Sequence, residues 1–242
     1  MKILSLETSA RAASCCVSDE TAVLARAAVN AGLTHSRTLM PMVNATLAAA
    51  DLTANDVDAV AVAVGPGSFT GIRIGVATAK GLAFSNGLPC IAVSTLEAMA
   101  YRLLGLPLCG RVCAVMDARC KQVYTATFVI ENGVLTRETP DEALAMDDLF
   151  ARLKTADTPV YLLGDGAKLC FDAGRDLVPQ LTLIPEPLQL QDAVGVAAVA
   201  AKELAAGNTV SGEALLPAYL RLPQAERELK AKQEAKQDTP NG

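Results

Sequence analysis

The chain has 242 residues, 51% hydrophobic and 19% charged, so it can bury a real core as one large domain or two small ones and is not disordered as a whole. Its 21 basic and 26 acidic residues leave a net charge of −5. That argues against a protein that grips nucleic acid alone on a basic footprint, but allows one that works beside a basic partner. Aromatics at 4% and the absence of Trp argue against a base-stacking platform.

Lys2 to Glu7 is predicted as a first strand, Ala13 to Ser18 as a second and Ala22 to Val29 as a third. Short apolar runs split by the polar break Asp19-Glu20-Thr21 suggest a meander. Leu39, Val43, Leu47 and Ala50 then recur at helical spacing. Thr34 or Ser36 can cap that helix, and Pro41 falls near its first turns, where it is tolerated. The valines of Asp58 to Val64 mark a buried strand. A glycine-rich turn and a helix from about Thr70 to Ser85 follow, then a strand Cys90 to Val93 and a helix capped by Ser94.

The pattern then restarts. Arg111 to Asp117 is an apolar strand ending in an acid, as Lys2 to Glu7 is. Gln122 to Ile130 is a second strand, Glu131-Asn132-Gly133 a hairpin turn, and Val134 to Thr139 a third strand. A helix from about Met146 to Lys154, a strand Pro159 to Leu163 and the turn Gly164-Asp165-Gly166 complete the copy. Strand, strand, strand, helix, strand, helix therefore occurs twice, with Glu7 and Asp117 at corresponding strand ends and an arginine soon after each, Arg11 and Arg119. The expected architecture is a duplicated α/β fold with a cleft between its halves. Ala193 to Ala206 is predicted as a further helix closed by Gly207-Asn208, and Leu215 to Leu222 as a last apolar segment. From Gln224 onward the tail carries four acids and four bases and is expected to be disordered.

No apolar run reaches ~18 uninterrupted residues, so no transmembrane helix is expected. The apolar start that meets Glu7 is too short for a signal peptide, so a cytoplasmic location is expected. The seven cysteines are odd in number; Cys15, Cys16, Cys90 and Cys113 sit in apolar runs and read as small core residues of a reduced protein. Cys109, Cys113 and Cys120 lack the paired spacing and nearby His of a zinc site.

The most informative segment is Gly65-Pro66-Gly67-Ser68-Phe69-Thr70-Gly71-Ile72-Arg73-Ile74-Gly75, between a buried strand and a helix. Free amides at that helix start can hold an anion, yet no Gly-Lys-Ser/Thr of a phosphate-binding loop follows, so an anion site and a purely structural turn both stand. Within the helix Gly71, Gly75, Ala79 and Ala83 form a stripe without bulk, which lets another helix approach closely. The helix is nearly apolar all round, so it is either buried in its own domain or has a core face and a partner face. In the preceding helix Leu39, Val43 and Leu47 can face the core while Met42, Ala45 and Ala49 line a second side. The sole histidine, His35, reads as a capping or interface residue, since a triad and a metal site both lack the other members. Glu7 and Asp117 either face each other across the cleft to hold a magnesium–nucleotide pair or are strand-end acids bonded to turn amides.

These residues resemble the TsaB (YeaZ) family. Ile3-Leu4-Ser5-Leu6-Glu7-Thr8-Ser9 is similar to its opening strand, Thr34-His35-Ser36 through Leu39-Met40-Pro41 to its first helix, and the segment Gly65 to Gly75 to its most specific signature. Val93-Ser94-Thr95-Leu96-Glu97, Asp117-Ala118-Arg119, Val123-Tyr124 and Tyr219-Leu220-Arg221 follow in order, so the likeness spans about residues 1–222. The resemblance implies an actin/Hsp70-like (ASKHA) fold of two RNase H-like βββαβα halves. It implies an N-terminal half at 1–108 carrying the partner helices, a C-terminal half at 109–222 and a charged tail at 223–242. It also implies a role in forming N6-threonylcarbamoyladenosine (t6A) at tRNA position 37. In that pathway the paralogue TsaD transfers the threonylcarbamoyl group from an adenylate made by another enzyme, TsaB docks on TsaD, and the ATPase TsaE joins them.

The departures from TsaD define the expected role. The positions aligned with that paralogue's metal-binding His-x-x-x-His are Thr95 and Met99, which cannot replace two imidazoles. No catalytic residue and no metal ligand is therefore assigned. The expectation is a non-catalytic scaffold that pairs with TsaD, or with itself when TsaD is absent, and meets tRNA only through the complex, with no membrane partner. The expected interface comprises His35, Leu39, Met42, Ala45, Ala49, Gly71, Ile72, Gly75, Ala79 and Ala83, so Gly75→Leu or Ala79→Glu should break the partner contact and spare the fold. A vestigial nucleotide cleft is expected at Glu7, Thr8, Gly65, Gly67, Ser68, Asp117 and Arg119, with nothing bound firmly and at most weak ATP or ADP with magnesium at the cleft or a subunit interface. A nucleotide-binding regulatory module, and a metal- or ATP-dependent enzyme in its own right, are the alternatives.

Overall fold

The computed structural model describes residues 1–221; Leu222 and the tail at 223–242 lie outside the described residues. The first sheet contains β1 (Ile3–Glu7), β2 (Ala13–Ser18), β3 (Val23–Val29), β4 (Ala59–Gly65) and β5 (Cys90–Ser94) in the order β3-β2-β1-β4-β5. The second contains β6 (Gly110–Asp117), β7 (Gln122–Glu131), β8 (Val134–Arg137), β10 (Val160–Leu163) and β11 (Leu181–Leu183) in the order β11-β10-β6-β7-β8, with β9 (Glu142–Ala145) also pairing with β7. Counted within each half, both sheets read 3-2-1-4-5: three antiparallel strands, then two parallel ones joined through helices. The duplication read from the sequence is therefore a duplication of topology. β9 and β11, of four and three residues, are too short to show a period and were not anticipated.

Strand alternation assigns each face of the first sheet to a different helix layer. Leu4, Leu6, Val60 and Val62 point toward α1 (His35–Ala49) and α2 (Phe69–Asn86). Ile3, Ala59, Ala61 and Ala63 point toward α3 (Thr95–Tyr101) and α7 (Ala193–Ala205). The alanines on that side leave room for α7, and Gly195 lets it cross α3, since a Cβ there would strike the Ala98 carbonyl. Helix α3 also serves the second half: Leu96, Met99 and Leu103 pack with Val112, Ala114 and Phe128. The outer face of the second sheet is covered by α4 (Met146–Leu153) and α5 (Ala167–Gly174), around Cys113, Val115, Phe150 and Cys170. The short helix α6 (Glu186–Gln189) precedes α7.

Helix α7 and Leu215, which follow the second half in sequence, pack with the first sheet and the first core. As a packing unit the second half therefore stops short of the 222 boundary drawn from sequence. The intervening chain ends in a strap, residues 215–221: the Ala218 amide donates to the Val64 carbonyl at 2.8 Å, and a Cβ on Gly65 would collide with the Ala218 carbonyl. Cys15, Cys16, Cys90, Cys113 and Cys170 are buried core thiols, while Cys109 and Cys120 are exposed. Burial pushes the Cys16 and Cys170 thiols up to about 12 and that of Cys113 to about 11. Thr34 stands at the N-cap of α1, but its side chain makes no cap bond; Ser94 does cap α3, accepting from the Glu97 amide at 3.1 Å.

Candidate functional site

The helix pair is the first candidate surface. Helix α2 starts where Ser68 caps it, its hydroxyl accepting from the Gly71 amide at 3.2 Å, and ends at Gly87 with φ of 63°. Its small-residue stripe points inward. Gly71, Ile72, Gly75, Val76, Ala79 and Ala83 are all buried within this chain. A Cβ on Gly71 would meet the Thr8 carbonyl, one on Gly75 the Thr8 hydroxyl, and the Thr8 Oγ1 donates to the Gly71 carbonyl at 2.8 Å. In α1, Leu39 and Met42 are buried too, and His35 is half-buried, its Nε2 2.8 Å from the Ala10 carbonyl. Of the ten interface residues expected from sequence, only Ala45 and Ala49 are exposed. Gly75→Leu and Ala79→Glu would therefore damage the core rather than spare the fold.

The outer face carries a different set one step around each helix. Pro41, Ala45 and Ala49 are exposed at four-residue spacing on α1, and Arg73, Ala77 and Gly81 on α2. Met40 is 38% exposed, and Phe84, at the far end of α2, is 91% exposed. Ala45, Ala49, Ala77 and Gly81 on this face are small enough to allow another helix a close approach.

The cleft between the halves is the second candidate, a cavity of about 530 Å³. The β1–β2 turn brings Ser9 and Arg11 to it, the start of α2 brings Gly67 to Phe69, the β6–β7 turn brings Asp117 and Arg119, and the strap brings Tyr219 and Arg221. Gly67 has no Cβ because one would strike Ser9, whose carbonyl accepts from the Ser68 amide at 2.6 Å. Phe69 and Tyr219 stack with centroids 4.8 Å apart, Arg73 lies 3.9 Å over the Phe69 ring, and its Nε donates to the Tyr219 hydroxyl at 2.9 Å. From the other half, the Ala118 carbonyl accepts from Arg221 at 3.1 Å, so the strap ties both halves together.

The two strand-end acids are bonded to turn amides, one of the two readings left open by the sequence. Glu7 Oε1 accepts from the Ser9 amide at 2.5 Å and Asp117 Oδ1 from the Arg119 amide at 2.7 Å, the same i to i+2 bond in each half. Their surroundings differ. Glu7 is 1% exposed and lies behind the cleft wall, with Oε2 unpartnered. Burial pushes its carboxyl up to about 7, opposed by the Ser9 bonds and aided by Asp192 and Asp165. Asp117 is exposed in the cleft. Its neighbour there is Asp165, which the sequence reading did not assign to the site; desolvation, with Asp117 adding, holds that carboxyl above the usual range. Of the expected nucleotide residues, Gly67, Ser68, Asp117 and Arg119 line the cavity; Glu7, Thr8 and Gly65 do not. Tyr219 and Arg221 were legible as a late motif but not as cleft residues.

Thr95 and Met99, one turn apart on α3, are 0% and 1% exposed, with Met99 in the core shared with the second sheet. Among the described residues no group of three or more His, Cys, Asp or Glu side chains is placed to hold a metal ion, and no helix is long and apolar enough to cross a membrane.

Two RNase H-like halves of matching strand order around a cleft define the actin/Hsp70-like class. Residues 29–229 match the family model described as TsaD, tRNA N6-adenosine threonylcarbamoyltransferase. The chain is 34% identical to the tRNA threonylcarbamoyladenosine biosynthesis protein TsaB of Bacillus subtilis, over 93% of this chain and 96% of that one. It is 32% identical to the Escherichia coli TsaB over 96% and 100%. A Pseudomonas aeruginosa crystal structure described as similar to the peptidase YeaZ superimposes with a TM-score of 0.75 at 29% identity, covering 91% of this chain and 99% of that one. The chain belongs to the TsaB (YeaZ) family of tRNA threonylcarbamoyladenosine biosynthesis proteins.

Proposed function

We propose that this chain is the non-catalytic subunit of the threonylcarbamoyl transfer complex, docking on the TsaD paralogue through the outer face of α1 and α2. The observation that carries the reading is the pair Thr95 and Met99. By the resemblance to TsaD they align with that paralogue's two metal-binding imidazoles, and both are sealed in the core. Neither a hydroxyl nor a thioether at these positions replaces an imidazole at a hard or borderline metal, and their burial leaves no open coordination position. Transfer chemistry then belongs to the partner, and this chain supplies a surface.

The docking face is Pro41, Ala45 and Ala49 with Arg73, Ala77 and Gly81, rather than the inward stripe. A paralogue with the same helix pair would pack against it as a helical bundle, and a second copy of this chain would use the same face when TsaD is absent. TsaE and tRNA would join through that assembly, inside the cytoplasm. Co-elution tests the reading: wild-type chain should co-elute with TsaD, and Ala77→Glu should not, because a carboxylate buried without a partner in a helix contact is strongly disfavoured. Unchanged co-elution of Ala77→Glu would reject this face.

A further inference from the structure

We propose that a second cavity, on the outer face of the second sheet, binds a small free α-amino acid as its zwitterion. This cavity of about 210 Å³ lies between β7 and α4 and shares no lining residue with the cleft or the α1–α2 pair. Thr125 and Thr127, two apart on β7, form its floor. Leu149 and Leu153 of α4 give it an apolar wall. Arg111, Arg152, Glu138 and Glu142 also line it, so the charge around the cavity sums to zero.

The four charges are paired unequally. Arg111 holds Glu138 in a fork, Nε to Oε2 at 2.6 Å and Nη2 to Oε1 at 3.1 Å, so this pair is closed on itself. Arg152 gives Glu142 a single N–H, from Nη1 to Oε1 at 2.6 Å. Among the described residues, the other guanidinium N–H groups of Arg152 and the Oε2 of Glu142 are left for a ligand. A spare donor and a spare acceptor thus stand side by side, as the carboxylate and ammonium of an α-amino acid do. Laid antiparallel on this open pair, the ligand's carboxylate accepts from Arg152 and its ammonium donates to Glu142. A lone anion or cation would satisfy one member of the pair and repel the other. The floor supplies a further polar group. Thr125 is 1% exposed, and among the described residues its hydroxyl meets only the Cys113 thiol at 3.5 Å, a weak partner. The cavity equals the liquid volume of about seven waters, which suits an amino acid with a short side chain.

The test is titration of the isotope-labelled full chain with glycine and with L-serine, followed by NMR amide shifts, and it is independent of partner docking. Both should bind saturably and shift the Thr125 and Thr127 amides. Ethanolamine, which is serine without its carboxylate, and hydroxypropionate, which is serine without its ammonium, should each bind about tenfold more weakly or worse, as loss of a charge-assisted hydrogen bond requires. Arg152→Gln and Glu142→Gln should each weaken serine by a similar factor. The Arg152 side chain is 52% exposed and that of Glu142 24%, so matching thermal melts will show that the variants are folded. Arg175→Gln, at the end of α5 and outside the cavity, should bind as wild type does. Absence of saturable binding for both amino acids at tens of millimolar would overturn the proposal. So would equal affinity for ethanolamine or hydroxypropionate, or wild-type affinity in both cavity variants.

Discussion

The Thr8 hydroxyl donates to the Gly71 carbonyl at 2.8 Å, joining residues 63 apart in sequence. This bond fixes the β1–β2 turn against α2 and explains why the helix is bare of side chains along that line. Gly75 faces the same hydroxyl and has Val62 on its other side. Gly75→Leu should therefore destabilise the fold by ~3 kcal/mol, at the upper end of overpacking costs. Urea denaturation will read this as a lowered midpoint; an unchanged midpoint would mean that α2 does not press on Thr8.

The outer face should behave in the opposite way. Ala77→Glu and Gly81→Glu point into solvent in the isolated chain, so their stability should stay within ~1 kcal/mol of wild type, as surface changes do. Their effect should appear only in assembly, as loss of co-elution with TsaD.

Stability should fall as pH rises from about 4.5 through about 7. Glu7 holds its proton up to about 7 in the folded chain against 4.5 ordinarily, so the folded state binds more protons than the unfolded state across that window. The contribution is fully present below the unfolded pKa and lost above the folded one, a change of about 3 kcal/mol for a shift of this size. Glu7→Gln keeps an acceptor for the Ser9 amide and should flatten the slope; denaturation midpoints at pH 4.5, 6 and 8 will measure it.

Arg137 joins α3 to the second sheet. Its two Nη atoms donate to Glu97 at 2.9 Å and Asp141 at 2.7 Å, and its guanidinium lies 4.8 Å over the Phe128 ring. Arg137→Met should cost ~2 kcal/mol, the range for hydrogen bonds to charged groups, and chemical denaturation will show it.

The strands and the duplication were legible because buried runs such as Ala59–Gly65 and Gly110–Asp117 are long enough to be seen alone. The facing of α2 was not. A helix apolar all round carries no polar side to orient it, and its stripe turns inward because Thr8, a residue distant in sequence, fills the space. For the cleft, half of the answer was available. Gly164-Asp165-Gly166 comes at the end of β10 as Gly65-Pro66-Gly67 comes at the end of β4, so the duplication already pointed to Asp165. The burial of Glu7 was hidden, because it depends on the start of α7, whose Ala193 amide donates to Ser14 beside Glu7, returning from the far end of the chain.

The most direct measurement is tRNA modification in a reconstituted mixture of threonine, bicarbonate, ATP, the adenylate-forming enzyme and TsaE, with this chain and TsaD added separately and together. Threonylcarbamoyladenosine formed only when both are present, and lost with Ala77→Glu, is the predicted result. Product formed with this chain and no TsaD would contradict the assignment of a non-catalytic subunit.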